Sequence, residues 1–116
     1  ILGMENHDFV KNIDRLLKIV RSIDSPWFGV IWDSANLDPV PDPYAELARI
    51  APYAVVAQLK VMTRVNGNPQ PADFNRLVEI LRNAGYCGYL TLEYEEPEDP
   101  FEAIPEFVKE MRAAVG

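Results

Sequence analysis

Four times along this chain an apolar stretch of strand character gives way to a segment of helical periodicity, and that alternation limits the fold more than any other feature. "ILGMEN" precedes "DFVKNIDRLLKIVRSI", where Phe9, Ile13, Leu16, Leu17 and Val20 recur at helical spacing and Asp8 stands as the predicted cap. "FGVIWD" precedes "PDPYAELARIA", a shorter helix introduced by prolines. "YAVVAQLKV" runs into "TRVNGNPQ", which reads as a loop, and then into "PADFNRLVEILRNAG". There Asp73 is the predicted cap, Phe74, Leu77, Val78 and Leu81 form the apolar stripe, and Gly85 falls where a helix C-terminal cap belongs. "GYLTLEYE" and "PFEAIPEFVKEMRAAV" close the series, with Pro105 expected to kink or restart the last helix.

The pattern is (βα)4, in one domain spanning residues 1–116. Its strands are almost continuously apolar, as in a parallel sheet covered by helices. Right-handed crossovers then allow an open doubly wound sheet or half of a (βα)8 barrel, and both put function at the C-terminal ends of the strands. No glycine-rich phosphate loop follows the first strand, which counts against a nucleotide-binding sheet. Strand character already at Ile1, without an initiator Met, reads as a piece of something longer.

The strand ends carry the chemistry. "MENH" brings Glu5 and His7 to one face, "IWDSAN" brings Asp33 and then Asn36, "VAQLK" brings Gln58 and Lys60, and "TLEYE" brings Glu93 and Glu95. A lone acid at a strand end would simply meet solvent. The same arrangement in four successive units instead predicts a shared rim. Glu5, Asp33, Gln58 and Glu93 offer only oxygen, a set suited to Mg²⁺ or Mn²⁺, and a cation would offset the repulsion of three carboxylates. Lys60 reads equally as a substrate-contacting or an ion-pairing residue. His7 alone reads first as a hydrogen-bonding residue at the start of the helix. Glu95 and Glu96 belong to the acidic run "EYEEPED", expected to be a solvated loop. Trp27, Trp32 and Tyr44 are expected to pack, and Cys87, with no base near it in sequence, is not expected to act as a nucleophile.

A formal charge of -7 disfavours nucleic acid and anionic membrane surfaces as partners, since both need stripes of Lys and Arg. No apolar run has the length of a membrane span. A single cysteine permits no internal disulfide, so the expected location is the cytoplasm.

With these residues in view, the chain resembles the C-terminal half of the sugar phosphate isomerase/epimerase family, the xylose isomerase-like TIM barrels. The resemblance rests on "LGMENH", "DSPWFGVIWDSAN", "APYAVVAQLKV" and "LRNAGYCGYLTLEYE" in that order. It implies strands five to eight of an eight-stranded barrel, and a divalent metal, Mn²⁺ or Mg²⁺, held by Glu5, Asp33 and Glu93. Gln58 stands where the family usually has His, a change that disfavours zinc. It further implies that Glu5 and Glu93 move the proton next to a metal-polarised carbonyl. Lys60 would touch substrate oxygens, His7 would lie at the rim, and Asn36 would stand where some relatives place a substrate-contacting His. The substrate implied is a small sugar or sugar phosphate. The DNA-cutting zinc branch of the family uses several further histidines, and this chain has only His7. A half-barrel leaves two sheet edges and one concave apolar face uncovered, so a homodimer closing eight strands is expected. The competing expectation is a structural half-barrel assembly module without catalytic activity.

Overall fold

The computed structural model describes residues 1–116. Strands β1 (Leu2–Glu5), β2 (Phe28–Asp33), β3 (Ala54–Lys60) and β6 (Leu90–Glu93) form one parallel sheet in the order β1-β2-β3-β6. Helices α1 (Ile13–Ser22), α2 (Pro43–Ile50), α3 (Phe74–Asn83) and α4 (Pro100–Val115) follow the four strands in turn. A separate antiparallel pair, β4 (Met62–Val65) and β5 (Asn68–Pro71), separates β3 from α3. The result is the half-barrel arrangement, one of the two that the βα alternation allows and the one that the resemblance implies.

The helices cover one face of the sheet. Val30, Trp32, Ala57 and Leu59 point into the core, where Ile13, Leu16, Leu17 and Val20 of α1, Leu47 and Ile50 of α2, and Phe74, Leu77 and Leu81 of α3 meet them. Trp32 is fully buried, and its indole N–H donates to the Leu47 carbonyl at 2.9 Å, which removes the cost of an unpaired donor. Trp32 and Tyr44 thus pack as expected, whereas Trp27 lies exposed. Asp73 caps α3 by accepting from the Arg76 backbone N–H, and Gly85 follows the helix with a φ of 76°.

Three local expectations differ from the structure. Asp8 does not cap α1. It has a φ of 45° and opens a short 3-10 turn (Asp8–Val10), while Asn12 caps the helix and Phe9 lies exposed. The segment "TRVNGNPQ" is part of a hairpin, with Asn66 and Gly67 at φ of 49° and 83°; positive φ at both central residues is the geometry that Asn-Gly favours. Pro105 does not restart α4, which runs unbroken from Pro100 to Val115 with the proline inside it. Pro105 and Phe101 are both exposed, so a carbonyl released by the proline is open to solvent.

The other face of the sheet is the one that would line a barrel, and it is not uniformly apolar. At its lower end Val55 packs over glycines: a Cβ at Gly29 would come within 2.4 Å of Val55 Cγ1, and one at Gly3 within 3.3 Å of Val55 Cγ2. At its upper end it carries the carboxylates.

Candidate metal centre

Strand register brings the four oxygen-bearing residues together. Glu5 pairs with Ile31, two residues before Asp33; Asp33 pairs with Gln58; Gln58 pairs with Thr91, two residues before Glu93. Side chains alternate along a strand, so steps of zero or two residues keep all four on one face. An irregularity in the β2–β3 pairing makes this so. Val30 lies opposite Ala54 but Ile31 lies opposite Val56, leaving Val55 as an extra residue. In unbroken register Asp33 would face Ala57, and Gln58 and Lys60 would turn to the other side.

Ligand oxygens of Glu5, Asp33 and Glu93 lie within 4.8 Å of one another, and this acidic triad can hold a metal ion. Asp33 is fully buried. Its Oδ1 accepts from the backbone N–H groups of Ala35 (2.8 Å) and Asn36 (2.7 Å), which fixes the carboxylate plane. Its Oδ2 is buried without a hydrogen-bond donor, as are Gln58 Oε1 and Glu93 Oε2. Three buried acceptors without donors on neighbouring strands form a costly arrangement that an oxygen-loving cation would satisfy. The donor set therefore fits a hard divalent ion, and it contains neither imidazole nor thiolate.

Burial pushes the Asp33 carboxyl up to about 6, against the opposing pull of its two backbone N–H bonds and the Lys60 ammonium. Burial alone would lower the Lys60 ammonium, yet its hydrogen bond to Glu95 and the charges of Asp33 and Glu93 keep it above the ordinary lysine value. Lys60 Nζ lies 2.6 Å from Glu95, 3.7 Å from Glu93 and 3.8 Å from Asp33. Glu95 is thus not simply part of a solvated loop: it stands two residues beyond Glu93, on the same side, and holds the lysine.

Two residues of the site escape a reading by sequence. Asn6 is fully buried and ties the end of β1 to the end of β2. Its Nδ2 donates to the carbonyls of Asp33 (2.8 Å) and Asn36 (2.9 Å), and its Oδ1 accepts from the Asp33 N–H (2.8 Å). Ser34, also buried, accepts the Lys60 N–H on its Oγ at 2.8 Å. Alternation along β1 marks Asn6 only as the residue opposed to Glu5, and "DSAN" signals a turn and nothing about Lys60. Of the other predicted residues, Asn36 donates from Nδ2 to Glu5 Oε1 at 3.1 Å, whereas His7 turns to Asp8, with Nδ1 3.0 Å from its carboxylate. Cys87 is exposed, with its Sγ near the Gly85 carbonyl.

A polar cleft of about 240 Å³ lies beside the triad, which contributes only Glu93 to its lining; Lys11, Asn36, Lys60, Arg64 and Glu95 are among the other lining residues. A larger apolar groove of about 610 Å³ runs between α3, β6 and α4 and includes none of the carboxylates. No helix is long and apolar enough to cross a membrane.

Comparison with known proteins agrees with the fold. A model of the family described as "Xylose isomerase-like TIM barrel" matches residues 1–111. The crystal structure of a xylose isomerase domain protein from Planctomyces limnophilus superimposes with a TM-score of 0.68 at 21% sequence identity. That match covers 98% of this chain and 45% of the other. No curated protein sequence matches the chain.

Proposed function

The chain belongs to the xylose isomerase-like TIM barrel family, and on that premise we propose that its polar rim binds Mn²⁺ or Mg²⁺ and serves isomerisation or epimerisation of a small sugar or sugar phosphate. The observation that carries this reading is the set of donorless buried oxygens on Asp33, Gln58 and Glu93 beside Glu5. Glu5, Asp33, Gln58 and Glu93 would hold the ion. When bound, the ion supplies positive charge that polarises a substrate carbonyl.

The side chains divide the remaining work. Asp33 is buried and pinned by two backbone N–H groups, so it serves only as a ligand. Glu5 and Glu93 are half-buried, and each has two oxygens. One oxygen can ligate while the other takes or returns a proton at the carbon beside the carbonyl. Asn36 holds the Glu5 carboxylate in place, and Lys60 presents an ammonium to substrate oxygens in the cleft. His7, with its ring turned to Asp8, would contact a substrate only from the rim.

The test is calorimetric titration of Mn²⁺ into chelator-treated protein, followed by NMR detection of deuterium entering ketose sugars in D₂O. Stoichiometric binding and exchange next to the carbonyl are expected. Glu93→Gln should weaken binding by about a hundredfold and stop the exchange. A wild-type protein that takes up no Mn²⁺ would overturn the reading.

The open sheet edges favour a second reading, that of an assembly module. β1 and β6 each pair on one side only, and Val56 is 41% exposed on the face opposite the helices. Two copies related by a two-fold axis could set β6 of one beside β1 of the other and close eight strands. Light scattering should then give twice the 13.1 kDa chain mass, and a monomer at high concentration would exclude it.

A further inference from the structure

Lys60 is a cation placed among the oxygens that would receive a metal ion, and its position needs an explanation. The residue is buried, and its backbone N–H is fixed on Ser34 Oγ, so the ammonium changes position by side-chain rotation rather than by movement of the strand. Three carboxylates surround its ammonium, but the distances are unequal. Glu95 is in hydrogen-bond contact at 2.6 Å, whereas the oxygens of Glu93 and Asp33 stand at 3.7 and 3.8 Å. Both of these more distant carboxylates have a buried oxygen without a donor. A lysine has three N–H donors, and a displacement of about 1 Å would bring one to ordinary hydrogen-bond length from either oxygen.

We propose that Glu95 is a positioning residue for the metal centre: it draws the Lys60 ammonium outward and so keeps Asp33 and Glu93 available to a divalent cation. The inference rests on the metal-binding reading above. Without Glu95, the ammonium has Asp33 and Glu93 as its remaining carboxylate partners. It then settles on them, and a cation must displace it before binding. Glu95 is the most exposed of the three carboxylates, with 59% of its side chain open to solvent, so its removal leaves the packing intact. Glu95 therefore controls which positive charge, the ammonium or the metal ion, occupies the buried carboxylates.

The experiment is a thermodynamic cycle on the whole chain, with Mn²⁺ affinity measured by calorimetry for wild type, Glu95→Ala, Lys60→Met and the double variant. Glu95→Ala should weaken Mn²⁺ binding about tenfold in the presence of Lys60, and by no more than about threefold when Lys60 is Met. An equal loss in both backgrounds would show that Glu95 acts on the cation directly and would overturn the proposal. No loss in the Lys60 background would overturn it as well. A crystal structure of metal-free Glu95→Ala decides the matter independently of metal uptake. Lys60 Nζ should lie about 3 Å from Asp33 Oδ2 or Glu93 Oε2. A lysine left where it is, or turned to solvent, would refute the proposal. If wild type takes up no Mn²⁺, the metal-binding reading fails while this structure still decides where Glu95 holds Lys60.

Discussion

Asp33 and Gln58 lie opposite each other in the β2–β3 pairing, and each ends in a buried oxygen that no donor reaches. Neither would be stable as an isolated feature. Together, at the C-terminal end of a parallel sheet and flanked by Glu5 and Glu93, they offer two of the oxygens of the proposed cation site. Four consequences can be measured.

On the proposed metal-binding reading, Gln58 would set which metal the site prefers. Its amide oxygen suits hard cations, and an imidazole in its place would add a nitrogen ligand that favours zinc. Gln58→His should raise the affinity for Zn²⁺ relative to Mn²⁺ by at least about tenfold in competition titrations. An unchanged ratio would place position 58 outside the coordination sphere.

Asp33 makes the metal-free protein pH-sensitive in a defined direction. Its folded value of about 6 lies above the ordinary 3.8, so between these pH values the folded state holds a proton that the unfolded chain has released. The stability from this group is complete below pH 3.8 and is lost as pH rises through about 6. Relative to Asp33→Asn, chelator-treated wild type should lose up to about 3 kcal/mol across that window in urea titrations. Mn²⁺ affinity should move the opposite way, rising with pH and levelling off above about 6, because the proton competes with the ion. A pH-independent difference between the two proteins would contradict the buried, proton-binding Asp33.

Asn6 should behave as a structural residue although it stands beside the site. Asn6→Ala leaves the Asp33 N–H and the Asp33 carbonyl without their partner in the interior. A cost of about 3 kcal/mol is expected in chemical denaturation. Asn36→Ala loses a single side-chain contact, to Glu5, and should cost less than about 1 kcal/mol. Equal costs would mean that the link between β1 and β2 depends on other groups.

Gly29 should tolerate no side chain. A Cβ there meets Val55 Cγ1 at 2.4 Å and the Tyr53 carbonyl oxygen at 2.8 Å, and the second of these is backbone and cannot turn aside. Gly29→Ala should destabilise the protein by about 2 kcal/mol, seen as a lower thermal midpoint. The same change should weaken Mn²⁺ binding, because the displaced segment is the irregularity that orients Gln58. Unaltered stability would refute the close packing of β2 and β3 at this point.

Much of the molecule was legible in its sequence because the signals are local. Apolar runs and helical stripes fixed the βα order, Asp73 and Gly85 marked the ends of α3, and polar residues at four strand ends marked the rim. The hairpin was missed: "TRVNGNPQ" read as a loop because polar residues and a proline concealed its strands, although Asn66-Gly67 is a turn signature. What tertiary structure alone decided is how separate segments face each other. Alternation within β3 says only that Gln58 and Lys60 share a side; the extra residue at Val55 makes it the side of Asp33. The buried bonds of Asn6 join residues 27 or more positions apart, and Glu95 meets Lys60 across 35. Side-chain direction follows from backbone geometry that each residue carries with it. Register and charge pairing depend on which strand lies alongside, and no local pattern encodes that.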